Sequence, residues 1–235
     1  LEGEVIASAL GLLAKHSPAR AGDAVEALVN RTLNREITGD RLESLKRAVQ
    51  PRLVGVTDAG LKSRTRWLLA AWDDASALSA VAALANSETA AAGERVQALR
   101  VLVAKQPEQA LELAEAVLGS KSSAAPGFRA EVLDQLSRLD HPRVAEIVLP
   151  SYSAFDPNGR ARMIELLIQR PTWAKPLLSA IESKAIPSSA LNINQVRRLA
   201  GSRDDAIRRQ VRSIWGTIRE GRNPQREEVV AQMRR

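Results

Sequence analysis

The stretch DDAIRRQVRSIW, residues 204–215, carries the side chains best suited to contact another molecule. Read as one helix from Asp204 to Glu220, it places Arg208, Arg212 and Arg219 in a ridge, with Trp215 on the border. A row of guanidinium groups can contact phosphates, and an indole offers a face on which a base can stack. These four residues are the first candidate binding set. The plainer reading is a solvated face whose Arg stems cover apolar surface, with Trp215 packed on a neighbour. Beside the ridge, Ile207, Val211, Ile214 and Ile218 form the stripe that docks the helix. Asp204 and Asp205 suit cap and dipole roles at the helix start better than they suit a catalytic carboxylate pair.

A second set lies in SRTRWLLAAWDD, residues 63–74. Arg64, Arg66 and Trp67 make an alternative nucleic-acid face, with Asp73 as the acid that a helix-repeat DNA glycosylase would need. Trp67 and Trp72 are five residues apart, so they point to different sides, one buried and the other partly exposed. The plainer reading is two core tryptophans and an N-cap aspartate. His16 and His141 are the only histidines, and neither has a metal-ligand partner at a recognisable spacing. No HExxH pair and no phosphate-cradling glycine loop occurs. With no cysteine, the chain can form no disulfide, thiolate metal site, Cys nucleophile or covalent haem attachment. No catalytic residue and no metal ligand is assigned.

The 235 residues carry a formal charge of +7, unevenly spread. From Arg197 to Arg235, eleven arginines stand against five acids, which is nearly the whole excess. A basic third of this kind motivates a nucleic-acid partner. The composition is 45% hydrophobic but only 3% aromatic, so Leu, Ala, Val and Ile must build the core. No stretch approaches the roughly 18 uncharged apolar residues of a membrane span, so this segment is not expected to insert in a membrane. The chain starts at Leu1 and ends in VVAQMRR, which reads as a piece of a longer polypeptide.

The elements that must position these residues are helices. Val96, Leu99, Leu102 and Val103 share one face; so do Val132, Leu133, Leu136 and Leu139, and again Met163, Ile164, Leu167 and Ile168. PRLVGV at 51–56 is the one strand-like piece. Pro- and Gly-marked breaks separate a dozen or so helices, with Pro187 expected to start one and Gly201 to end one. RVQALRVLVAKQP from Arg95, RAEVLDQLSRLDHP from Arg129 and RARMIELLIQRP from Arg160 align as helix, proline turn, helix, spaced by 34 and 31 residues. A degenerate fourth unit opens at DDAIRRQ. Two helices per period of this length predict an all-α chain, an α-solenoid forming a right-handed superhelix of HEAT-like, armadillo-type pairs. One continuous repeat domain is expected over 1–235, less regular over 1–60, clearest over 90–220, with a basic helix at 224–235. A break near Gly55–Ser63 is the alternative.

LDHPRVAEIVLPSY, RARMIELLIQRPTWAKPLLSAIESKAIP and LNINQVRRLAGSRDDAIRRQVRSIWG also carry a family resemblance. The region Arg95 to Arg219, roughly half the chain, resembles the helical-repeat segment of large secreted multidomain bacterial proteins. These occur in planctomycetes and their relatives and are often labelled membrane-bound dehydrogenases. In that family a propeller precedes the repeats and a c-type haem domain with a Cys-x-x-Cys-His motif follows them. The resemblance implies a non-catalytic spacer or protein-interaction scaffold whose partners are other domains of the same polypeptide. It also implies an extracytoplasmic or periplasmic setting, and haem c in a following domain but no cofactor in this chain. Nucleic-acid binding, passive or glycosylase-like, is the rival reading.

Overall fold

The computed structural model describes residues 2–119 and 124–216. Among them are thirteen α-helices, two short 3-10 turns and no strand. The chain is all-α, as its periodicity predicts. By contact it divides into two compact units, 1–139 and 140–235. This division falls inside the second of the three aligned repeats.

The first unit contains α1 (Glu2–His16), α2 (Pro18–Leu33), α3 (Gly39–Leu53), α4 (Ala59–Ala71), α5 (Ala75–Asn86), α6 (Ala92–Lys105), α7 (Pro107–Leu118) and α8 (Pro126–Leu136). Most of these helices pack on the next helix and on the one after it. Thus α1 meets α2 and α3, α2 meets α4, α4 meets α5 and α6, and α6 meets α7 and α8. No break falls at Gly55–Ser63, because α2 and α4 pack together across that loop.

The second unit contains α9 (Arg143–Val148), which runs into a 3-10 turn at Leu149–Ala154, then α10 (Pro157–Leu167) and α11 (Pro171–Glu182). After a three-residue 3-10 turn at Ser188–Ala190 come α12 (Ile193–Ala200) and α13 (Asp205–Trp215). Here α11 packs on α9, α10 and α13, and α12 packs on α13. The stretch DDAIRRQ opens α13. That helix packs on both α12 and α11.

Local sequence explains the boundaries. Five helices, α2, α7, α8, α10 and α11, begin with Pro in the first turn, where its missing N–H costs nothing. Asp58, Asp74 and Asp156 cap α4, α5 and α10 by accepting from the backbone N–H three residues on. The arginines that align the repeats do one recurring job. Arg95 donates to the Ala85 carbonyl, Arg129 to that of Leu118, and Arg160 to that of Tyr152. Each neutralises acceptors left open at the end of the preceding helix or turn.

Three local expectations are corrected. PRLVGV is no strand: Pro51–Leu53 close α3, and Gly55 turns the chain at φ 79°. Pro187 starts only the 3-10 turn; α12 starts at Asn192, whose side chain forms a capping box with Gln195. The last described helix does not run to Glu220. It stops at Trp215 because Gly216 takes a left-handed φ of 74°. Ile218, Arg219 and the helix expected at 224–235 lie outside the described residues.

The cores are aliphatic, as the composition requires. Leu61, Leu68, Leu99, Leu102, Leu111 and Leu133 are fully buried in the first unit; Met163, Ile164, Leu167 and Trp173 fill the second. Packing at α10 is tight: a Cβ on Gly159 would lie 2.2 Å from the Phe155 ring. No single helix among the described residues is long and apolar enough to cross a membrane.

Candidate binding surfaces

The first candidate set divides under inspection. On α13, Ile207 and Val211 are buried and Ile214 is half-buried, so the docking stripe is real as far as the helix extends. Asp204 is the N-cap, accepting from the Ala206 and Ile207 amides. It also pairs with Lys175 of α11 at 2.7 Å. That hydrogen bond, chiefly, holds the Asp204 carboxyl below its ordinary value. Asp205 pairs with Arg208 within its own helix, and Arg208 also donates to the Ser202 carbonyl at 2.7 Å. Arg208 is thus engaged in holding the turn before α13. Arg212 is exposed, and Trp215 is half-buried in a shallow depression with Leu191, Ile193, Val196 and Arg197. Of this set, the exposed Arg212 and the half-buried Trp215 remain as contact groups, with Arg219 outside the described residues.

In the second set both tryptophans are buried: Trp67 is 9% exposed and Trp72 is 7% exposed. The expectation that one of them faces solvent is corrected. Helix α4 packs against α2, α5 and α6, so it has almost no solvent side on which to display an indole. Trp67 therefore offers no face for base stacking. The N-cap of α5 is Asp74, not Asp73; Asp73 sits at φ 68° and pairs with Lys105 at 2.9 Å. Arg66 is half-buried. Arg64 is held by Glu26 of α2 at 3.2 Å. Its guanidinium lies flat on α2 at Gly22, where a Cβ would come within 3.0 Å of Nη1.

That contact leads to residues the sequence reading passed over. One turn along α2 from Glu26 stands Asn30, and its side-chain oxygen accepts from Arg100 Nη1 of α6 at 2.6 Å. Helix α4 packs on both α2 and α6, so the Arg100 side chain reaches across it to make this bond. Two arginines from different helices thus converge on one turn of a third. Burial pushes the Arg100 guanidinium below its ordinary value, the like charge of Arg138 pushes the same way, and Glu26 opposes both. Trp67 Nε1 and Thr65 Oγ1 of α4 and Arg100 Nε of α6 are enclosed without a hydrogen-bond partner. A sequence signal for this row exists: Arg64, Arg100 and Arg138 recur every 36 to 38 residues. It is hidden because the apolar helices align on a different arginine, Arg95.

Among the described residues, no three His, Asp or Glu side chains gather as metal ligands would. Comparison with protein-family models, with curated proteins and with solved structures finds no match.

Proposed function

We propose that this chain is a non-catalytic interaction or spacer scaffold built as a HEAT-like α-solenoid. The observation that carries the reading is a recurring step. Side chains bond across layers at offsets of 30 to 32 residues: Ser63 to Glu94, Lys105 to Asp73, Trp173 to His141, Gln210 to Ser179 and Ser213 to Glu182. Gln195 and Glu165 bond at the same offset. A repeated step of one helical pair supports stacking in which each layer buries the apolar side of the last. The outer faces then remain free for partners along the array. The resemblance to the helical segment of secreted dehydrogenase-type multidomain proteins suggests the setting: between redox modules, with other domains of the same polypeptide as partners.

Two measurements test this. The coding sequence beyond Arg235 is expected to contain a Cys-x-x-Cys-His motif within about a hundred residues; a stop codon there removes the redox setting. The adjoining domains, added to the full 235-residue chain in a calorimeter, are expected to bind it. Absence of heat at millimolar concentration removes the scaffold role.

A further inference from the structure

Helix α1 packs on α2 and α3, and the side it turns away from both is apolar. Val5 is 66% exposed and Leu12 is 62% exposed; seven residues apart, they fall on one line of the helix. Ala9 lies between them on the same side with Ser8 next to it, and both are exposed. Val54, 78% exposed, extends the patch, because it lines one depression with Ser8, Leu12 and Lys15 at the edge between α1 and the end of α3. Among the described residues only one other large hydrophobic side chain, Ile193, is so exposed, so apolar exposure is concentrated here rather than scattered. The flank of the patch carries charge. Glu4 near the start of α1 and Lys15 in its last turn are exposed, three turns apart on one side. Neither enters an ion pair with a described residue.

We propose that this face binds a second copy of the chain, with α1 packed antiparallel on the partner's α1 about a two-fold axis. A two-fold contact uses one patch twice, so the patch must complement itself when read from the other end. The α1 face does so about a point between Ser8 and Ala9. Val5 then lies level with the partner's Leu12, and Leu12 with the partner's Val5. The small side chains of Ser8 and Ala9 meet at the centre, where they allow helix axes to approach to about 8–10 Å. Glu4 comes within about 3 Å, measured along the axis, of level with the partner's Lys15 on the same flank, and the reciprocal pair forms at the other end. Along α1 the order is acid, apolar, small, small, apolar, base, which is complementary to its own reverse. Contact with an unrelated chain places no such demand on the sequence. The strip is one helix wide and about 22 Å long. That falls short of the roughly 800 Å² per partner of a standard interface, so the dimer is weak and reversible. This inference does not depend on the scaffold reading.

Sedimentation equilibrium of the full chain, from micromolar to near-millimolar concentration, tests this. The mass is expected to rise from that of one chain toward that of two. Leu12→Arg, at an exposed site, is expected to leave the melting temperature of the dilute chain unchanged and to keep it a single copy at every concentration. E4K and K15E each set like charges together across the axis, and each is expected to weaken association by about tenfold, for two exposed pairs turned repulsive. Mixed in equal amounts they are expected to associate more strongly than either does alone, because opposite charges then meet at both ends. The chain has no cysteine, so a single added thiol reports the register. Ala9→Cys stands beside the axis and is expected to form a disulfide-linked dimer under mild oxidation. Val5→Cys stands about 10 Å along the axis from its own copy and is not. A single-chain mass at every concentration, a dimer that Leu12→Arg leaves intact, a mixture no stronger than its components, or cross-linking of Val5→Cys as readily as Ala9→Cys overturns the proposal.

Discussion

The two units differ in how fully their enclosed polar atoms are satisfied, although both pair cations with acids: in the first, Arg31 pairs with Glu36, Lys46 with Glu43, Arg64 with Glu26 and Lys105 with Asp73. In the second, Arg170 pairs with Asp140, Lys175 with Asp204, and Arg208 with Asp205. Within the first unit, Arg100 bonds to the Asn30 amide oxygen instead of a carboxylate. Counted along the chain, the positive excess belongs to residues 197–235, where Arg208 is tied to Asp205 and to the Ser202 carbonyl while Arg212 is exposed. Charge summed by segment thus says little about local field, which depends on which side chains the packing brings together and how deeply. Enclosed polar atoms follow the same division. The first unit leaves Thr65, Trp67, Trp72, Gln106 and Gln135 with an unpartnered atom; in the second, only Arg170 Nε is so placed among the described residues, and its guanidinium still reaches Asp140.

The hardest way to break the comparison is to remove the second unit's anchor. Trp173 is fully buried and donates from Nε1 to the His141 carbonyl at 2.8 Å. Trp173→Ala is expected to cost about 3–5 kcal/mol, the range for emptying a buried aromatic site, read as a lowered urea midpoint. A loss under about 1 kcal/mol would show that the second unit is no better packed than the first.

A finer cut compares two indoles. Trp173→Phe and Trp67→Phe remove the same ring volume, but only the first deletes a hydrogen bond and strands a carbonyl. The first is expected to be the more destabilising by about 1 kcal/mol or more, measured by parallel urea titrations. Equal losses would mean that the Trp67 N–H has an acceptor after all, and the contrast in polar satisfaction would fail.

What could be read beforehand divides along similar lines. Helices were legible because Leu, Val and Ile recur at 3.6-residue spacing and because Pro sits at the first turn, both properties of short segments. The alignment on Arg95, Arg129 and Arg160 had physical content, since each of these caps carbonyls just upstream. The pairing of α13 with α12 was not legible, because a short helix carries the same stripe wherever it falls in a repeat. Nor was the burial of both Trp67 and Trp72: a helical wheel assigns sides, and only the packing shows that α4 is enclosed on several of them. The convergence of Arg100 on Asn30 joins residues 70 apart, and no local pattern encodes such a contact.

The smallest effect concerns the second unit's best-formed surface pair. Asp204 has its carboxyl held below the ordinary 3.8, first by the hydrogen bond from Lys175 and then by the Ala206 and Ile207 amides. A carboxyl lowered on folding contributes stability that is fully present above its unfolded value and is lost as pH falls through the folded one. Lys175→Met removes the largest cause and leaves the cap. The stability difference between wild type and Lys175→Met is therefore expected to be constant from neutral pH down to about 4, and to shrink below that, followed by urea melts at successive pH values. The first unit offers a control: Lys105→Met removes a partner from Asp73, a carboxyl that is not a helix cap. A Lys175→Met difference that instead faded between pH 5 and 8 would point to a titrating group other than Asp204.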